Sequence, residues 1–200
     1  IEMRQSLGRQ IFTAGSPLQV YAPTLITEPA GLPLLGFIES ANAIGEGESY
    51  EQAVLISEAT EADLIATAGI VYPQAVQDLY VNTSGISPDV AALAREVTEG
   101  AESPYEQAEM LVRYLRSDEF TYSVAGMDLP NGADLVESFL FADNGKVGYC
   151  QHFASAMAVM ARSLGLPARV ATGWAPGEAA GDGLWLVREA QAHAWVEIYF

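Results

Sequence analysis

The chain carries one cysteine, Cys150, and two histidines, His152 and His193, in 200 residues. A single cysteine forms no internal disulfide, and one Cys with two His falls short of a four-ligand zinc site. A metal-binding module is therefore a poor reading, and no cofactor is expected. Basic residues are scarce as well: 9 Lys and Arg stand against 26 Asp and Glu, for a formal net charge of −17. A surface this negative repels phosphate backbones and anionic lipid, which argues against nucleic acid as a partner. Long apolar runs are also missing. The uncharged stretch from Gln10 to Thr27 holds Gln, Ser, Thr and two prolines, and Pro29 to Ile38 is too short to cross a bilayer. The opening Ile1-Glu2-Met3-Arg4 lacks the layout of a signal peptide. No internal repeat, heptad run or low-complexity tract is found.

What is present suits a globular protein: half of the residues are apolar and 10% are aromatic. The chain starts at Ile1 and stops at Phe200 in mid-pattern, so it reads as a piece of a longer protein, soluble as it stands. Residues 1–85 read as an irregular N-terminal region. Residues 1–48 are rich in Gly and Pro, with a strand expected around Leu34–Glu39. Tyr50–Ser57 suggests another strand and Glu61–Ala68 a short helix.

From Ser87 the local signals sharpen. Ser87-Pro88 is an N-cap followed by proline at the first helical position, with Gly100 placed as a terminator. Ser103-Pro104-Tyr105-Glu106 is a capping box, and Ala108, Leu111, Val112 and Leu115 form the apolar stripe of the helix it opens. Asp134–Phe141 suggests a short helix and Asp143-Asn144-Gly145 a turn. Gln151–Leu164 is an alanine-rich helix with Phe153, Met157, Met160 and Leu164 on one face, ending at Gly165-Leu166-Pro167. Three strand-like runs follow: Ala168–Trp174, Leu184–Arg188 and Ala194–Phe200. The first two are expected to form a hairpin about the loop Pro176–Gly183.

Cys150 stands where the alanine-rich helix begins. A lone cysteine is more often a small core residue than a working thiol. A helix N-terminus, however, offers partial positive charge and free N–H groups, which favour a thiolate and can also receive an oxyanion. Gly148 lets backbone approach closely just upstream. In the last strand, alternation puts His193, Trp195, Glu197 and Tyr199 on one face and the apolar Ala194, Val196, Ile198 and Phe200 on the other. The apolar face is expected toward the core. The His193 face is then expected toward the Cys helix or a cleft, where the imidazole could take the thiol proton. His152 points about 200° away from Cys150 on the same helix. Glu197 lies about 13 Å along the strand from His193, too far to orient its ring.

Three motifs carry a resemblance. Gly148-Tyr149-Cys150-Gln151-His152-Phe153-Ala154, then Arg162-Ser163-Leu164-Gly165-Leu166-Pro167-Ala168-Arg169-Val170, then His193-Ala194-Trp195-Val196-Glu197 follow in order. Together they resemble the core of the transglutaminase-like superfamily, in particular the extracytoplasmic domain of bacterial membrane-anchored members. The specific likeness runs from about Tyr105 to Phe200, and Tyr50–Tyr80 is similar more weakly.

The resemblance implies an α+β, papain-like fold with the Cys helix packed on an antiparallel sheet, residues 86–200 forming a core that stops before its C-terminal strands. It also implies a Cys-His-Asp triad with Cys150 and His193 in the first two places, and an Asp on the strand after the histidine, past Phe200. Within the chain, Asp182 and Asp143 compete for that third place. The implied activity is acyl transfer or hydrolysis at peptide or glutamine side-chain amides, with protein or peptide substrates and a membrane-anchored, extracytoplasmic parent. The competing expectation is a non-enzymatic binding or scaffold domain that keeps the fold without using the thiol.

Overall fold

The structure is a computed structural model that describes residues 1–3, 9, 11–13, 16–21, 26–27, 39–40, 42–125, 134–142 and 146–200. The chain forms two compact units, Ile1–Glu58 and Ala59–Phe200. The first holds four short strands among its described residues: β1 (Ser16–Tyr21), β2 (Ile26–Thr27), β3 (Glu39–Ser40) and β4 (Glu51–Leu55). β1 pairs antiparallel with β4, with an irregularity between Pro17 and Gln19, and β2 with β3. Met3, Ile11, Ile44 and Tyr50 make its small core. The Tyr50 hydroxyl donates to the Phe12 carbonyl at 2.8 Å and accepts the Phe12 N–H at 3.0 Å, so this buried phenol is satisfied on both counts. The strand expected at Tyr50–Ser57 is β4. Of the one expected at Leu34–Glu39, only Glu39 is described, and it lies in β3; the rest falls outside the described residues.

The second unit opens with two short helices, α1 (Glu61–Ile65) and α2 (Gln74–Tyr80), followed by α3 (Pro88–Val97) and α4 (Pro104–Leu115). Their ends follow the sequence signals. The Ser87 hydroxyl accepts the Asp89 N–H. The Ser103 hydroxyl accepts the Glu106 N–H at 3.2 Å while the Glu106 carboxylate takes the Ser103 N–H at 3.1 Å, a reciprocal cap. Next come β5 (Phe120–Tyr122), α5 (Leu135–Leu140, capped by Asp134) and β6 (Lys146–Gly148). The turn expected at Asp143–Gly145 falls outside the described residues.

α6 (Cys150–Ser163) occupies the centre. It packs against α3, α4 and α5, and against β7 (Ala168–Trp174) and β10 (Ala192–Ile198). Ala154, Ala156, Ala158 and Ala161 are all buried, and side chains this small let neighbours close on several sides of one helix. The main core joins Val90 and Ala94, Leu111 and Leu115, Val136, Phe139 and Leu140 to Ala156, Met157, Met160 and Ala168. α6 stops at Gly165, whose φ of +84° suits glycine. There the Leu166 N–H reaches back to Ala161 O at 3.0 Å and the Gly165 N–H to Arg162 O at 2.9 Å, a Schellman motif. The chain then enters β7 directly.

The expected hairpin between Ala168–Trp174 and Leu184–Arg188 is not formed. β7 pairs antiparallel with β10 instead, from Ala168 opposite Ile198 to Trp174 opposite Ala192. The intervening chain makes its own hairpin, β8 (Glu178–Gly181) with β9 (Leu184–Leu186). The cause lies in Asp182-Gly183, with φ of 49° and 75°: two successive positive-φ residues make the tight turn whose twist suits a two-residue hairpin. β10 is the better partner for β7 because its apolar side supplies Val196 and Ile198 to the core, whereas Leu184 and Trp185 of β9 stay exposed.

Leu111 lies fully buried in the contact between α4 and the core. Leu111→Ala is expected to lower unfolding stability by about 3 kcal/mol, read from urea denaturation followed by circular dichroism.

Candidate active site

β6 delivers the chain to Cys150. It pairs in parallel with β5, Tyr122 opposite Gly148, and the Ser123 N–H donates to the Gly148 carbonyl at 2.8 Å. At its other end Lys146 Nζ donates to Glu119 Oε2 at 2.7 Å and to the Tyr114 hydroxyl at 2.9 Å, over the Phe120 ring. This strand pair has no strong sequence signal, since each strand is three residues long, and it was missed.

Tyr149 is the N-cap of α6, with extended φ/ψ of −113° and −177°. Its carbonyl accepts the N–H groups of His152 at 2.9 Å and Phe153 at 3.4 Å. The amides of Cys150 and Gln151 have no acceptor among the described residues. The partly buried thiol thus belongs to the first residue of a 14-residue helix, at its positive end. The Tyr149 hydroxyl donates to Gln151 Oε1 at 3.0 Å on the same side of the cap.

His152 is turned inward, as the helical angle implies. It is 3% exposed, its Nδ1 accepts the Tyr149 N–H at 3.3 Å, and its ring meets Tyr149 edge-on at 4.5 Å and Phe139 at 5.7 Å. A ring nitrogen that accepts an N–H is unprotonated, and burial pushes the imidazole below its ordinary pKa. Gly148 is fixed by the same packing: a Cβ there would stand 2.7 Å from His152 Cβ and 2.9 Å from Phe139 Cε2.

His193 is the second residue of β10, exposed, and paired with Gly173 of β7. Trp195 crosses toward Gly173, close enough that a Cβ there would approach its ring to 3.0 Å. Alternation along β10 holds: Ala194 is buried and Val196 and Ile198 pack on the core, while Trp195 and Tyr199 are exposed. The body of α6 therefore meets the strand through its Ala194 side, not through the face that carries His193. Among the described residues no hydrogen bond joins the Cys150 thiol to the His193 ring. Glu197 is engaged elsewhere, with Arg169 Nη2 at 2.7 Å and the Trp195 indole N–H at 3.3 Å. Asp182 sits in the β8–β9 turn, and Asp143 lies outside the described residues. No group of three or more His, Cys, Asp or Glu is placed to hold a metal among the described residues.

The family model of the transglutaminase-like superfamily matches residues 91–200, more than half of the chain, beginning within α3. The chain belongs to the transglutaminase-like superfamily. Two curated relatives are similar to the chain, the first of them uncharacterized. YebA of Bacillus subtilis is 36% identical over 130 residues, covering 62% of this chain and 17% of its own length. A protein-glutamine gamma-glutamyltransferase of Pseudomonas aeruginosa is 37% identical over 115 residues, covering 56% of this chain and 16% of its own. The chain thus spans about one sixth of these relatives. The crystal structure of the periplasmic domain of TgpA from P. aeruginosa superposes with a TM-score of 0.69 at 23% identity, covering 100% of this chain and 62% of that one. The same domain bound to ethylmercury gives 0.60 at 20%, covering 100% and 82%. The superfamily fold, a Cys helix packed on an antiparallel ladder, is the one described above.

Above the ordinary histidine value of 6.5 both folded and unfolded His152 are neutral. As pH falls, the unfolded chain takes up the proton first, so the stability held above that value is lost as pH drops through the lowered folded pKa. Melting temperature is expected to fall as pH drops below 6.5, and His152→Asn to flatten that slope. An unchanged slope in the variant would assign the effect elsewhere.

Proposed function

We propose that this chain performs cysteine-dependent acyl transfer or hydrolysis at peptide or glutamine side-chain amides, with Cys150 as nucleophile and His193 as general base. One observation carries the reading: the single thiol of a transglutaminase-like chain stands at the first position of its central helix, whose first two amides have no acceptor among the described residues. In the reaction, Cys150 Sγ gives its proton to His193 and attacks the amide carbon. The oxygen then bears negative charge, for which we assign the amides of Cys150 and Gln151 as donors. As the tetrahedral adduct collapses, the C–N bond breaks and the imidazolium returns its proton to the leaving nitrogen. This releases an amine from a peptide bond, or ammonia from glutamine. Water or a primary amine next attacks the thioester and frees the thiol. The role given to His193 rests on its place in the superfamily motif His193-Ala194-Trp195-Val196-Glu197, within the matched residues. The substrate we assign is a protein or peptide, and the net charge of −17 speaks against nucleic acid.

The setting we propose is an extracytoplasmic domain of a membrane-anchored parent, by likeness to a periplasmic domain. No described helix is long and apolar enough to cross a membrane. One observation favours a second reading, a binding domain that retains the fold: His193 is exposed and makes no hydrogen bond to the thiol.

The two readings part on thiol chemistry. Ethylmercury, which is bound in a relative's crystal structure, is a thiol-seeking probe suited to the sole cysteine. An enzyme is expected to alkylate and mercurate at Cys150 faster than a free thiol at neutral pH. It should also release ammonia from a glutamine peptide or incorporate a fluorescent primary amine. Cys150→Ala should abolish each signal at a stability cost of about 1 kcal/mol or less, and His193→Ala should slow turnover by about 10²-fold or more. An inert thiol, with a marked loss of melting temperature in Cys150→Ala, would favour the binding domain.

A further inference from the structure

The two residues before the helix start, Gly148 and Tyr149, are held by a side chain to which the reaction gives no part. We propose that His152 is a positioning residue that fixes the Gly148–Tyr149 backbone and so sets the direction in which Cys150 presents its sulfur; this rests on Cys150 being the nucleophile. The bond from the Tyr149 N–H to Nδ1 returns from the third helical position to the N-cap, the place that Glu or Gln takes in an ordinary capping box. The His152 N–H donates in turn to the Tyr149 carbonyl at 2.9 Å. The peptide groups on both sides of the N-cap are thereby tied to one residue, and Cys150 follows that residue directly.

The ring cannot drift from this place. It is 97% buried between Tyr149 and Phe139, and it fills the space beside Gly148 so closely that no Cβ fits there. Gln or Glu at this position would bring a flexible, more polar chain into an apolar pocket, whereas imidazole offers an acceptor on a flat ring. His152 neither touches the thiol nor moves a proton. Its effect reaches Cys150 through the backbone alone.

The test is the second-order rate of Cys150 alkylation by iodoacetamide in the folded native chain, in His152→Phe and in His152→Asn, each shown to be folded by its melting curve. Phe keeps the ring and removes the acceptor; Asn removes the ring and places Oδ1 near the position of Nδ1. The Phe variant is expected to react about tenfold more slowly than native and the Asn variant within about threefold of it. A Phe variant as fast as native overturns the proposal and leaves the assignment of the nucleophile standing. Equal losses of melting temperature in both variants, with rates unchanged, reduce His152 to a packing role and also overturn it. A native thiol no faster than free N-acetylcysteine overturns both this proposal and the catalytic reading. Should the Phe variant fail to fold, His152→Leu, which also lacks the acceptor, takes its place: a rate about tenfold below native supports positioning, and a rate equal to native overturns it.

Discussion

The alanines of α6 set the distance at which three helices and a two-stranded ladder can meet. Ala156 and Ala161 are completely buried, and each brings a neighbouring element close to the helix backbone. Larger residues there would push apart α3, α4 and α5, or the β7–β10 ladder, and open the core of the second unit. The two ends of the helix are fixed differently. The C-terminal end closes on Gly165 and turns at once into β7, so the helix and its ladder are joined by very little chain. The N-terminal end is held by the β5–β6 pair and by the inward-facing His152. Cys150 is therefore placed by constraints that belong to the fold.

Elements with strong local chemistry were legible in the sequence. Ser87-Pro88 and Ser103-Pro104-Tyr105-Glu106 start α3 and α4 as their side-chain acceptors require, and Gly165 ends α6 because it alone tolerates the left-handed turn at low cost. The alternation after His193 also holds, since one side of β10 faces a core that accepts only apolar groups. What escaped were the choices made by tertiary partners. β7 had two strand-like runs available downstream, and local pattern alone did not say which would pair with it. The Asp182-Gly183 dipeptide carried the answer, because two consecutive positive-φ positions call for a two-residue turn within the loop. β5 and β6, three residues each, owe their existence to each other and leave almost no periodic trace.

At the site, the sequence singled out candidate residues but not how they are supported. Cys150 at a helix start and His193 on a strand could be placed by pattern, as could the inward turn of His152. Its bond to the Tyr149 amide could not, because histidine at the third helical position is an unusual cap acceptor. The commitment of Glu197 to Arg169 and Trp195 likewise depends on the register between β7 and β10, which sets Glu197 opposite Arg169. Side-chain roles that cross from one element to another become readable only when that register is known.

The β8–β9 hairpin has a consequence for how the second unit assembles. β10 must return to β7 across the whole connection from Trp174 to Ala192, and closing a loop of that length costs chain entropy. A hairpin with a two-residue turn forms from neighbouring residues and on a timescale of microseconds. Once it has formed, it draws Glu178 and Leu186 together and leaves only residues 175–177 and 187–191 between the hairpin and the ladder. The long-range pairing then resembles a short-range one, which lowers the effective contact order of the ladder that carries His193.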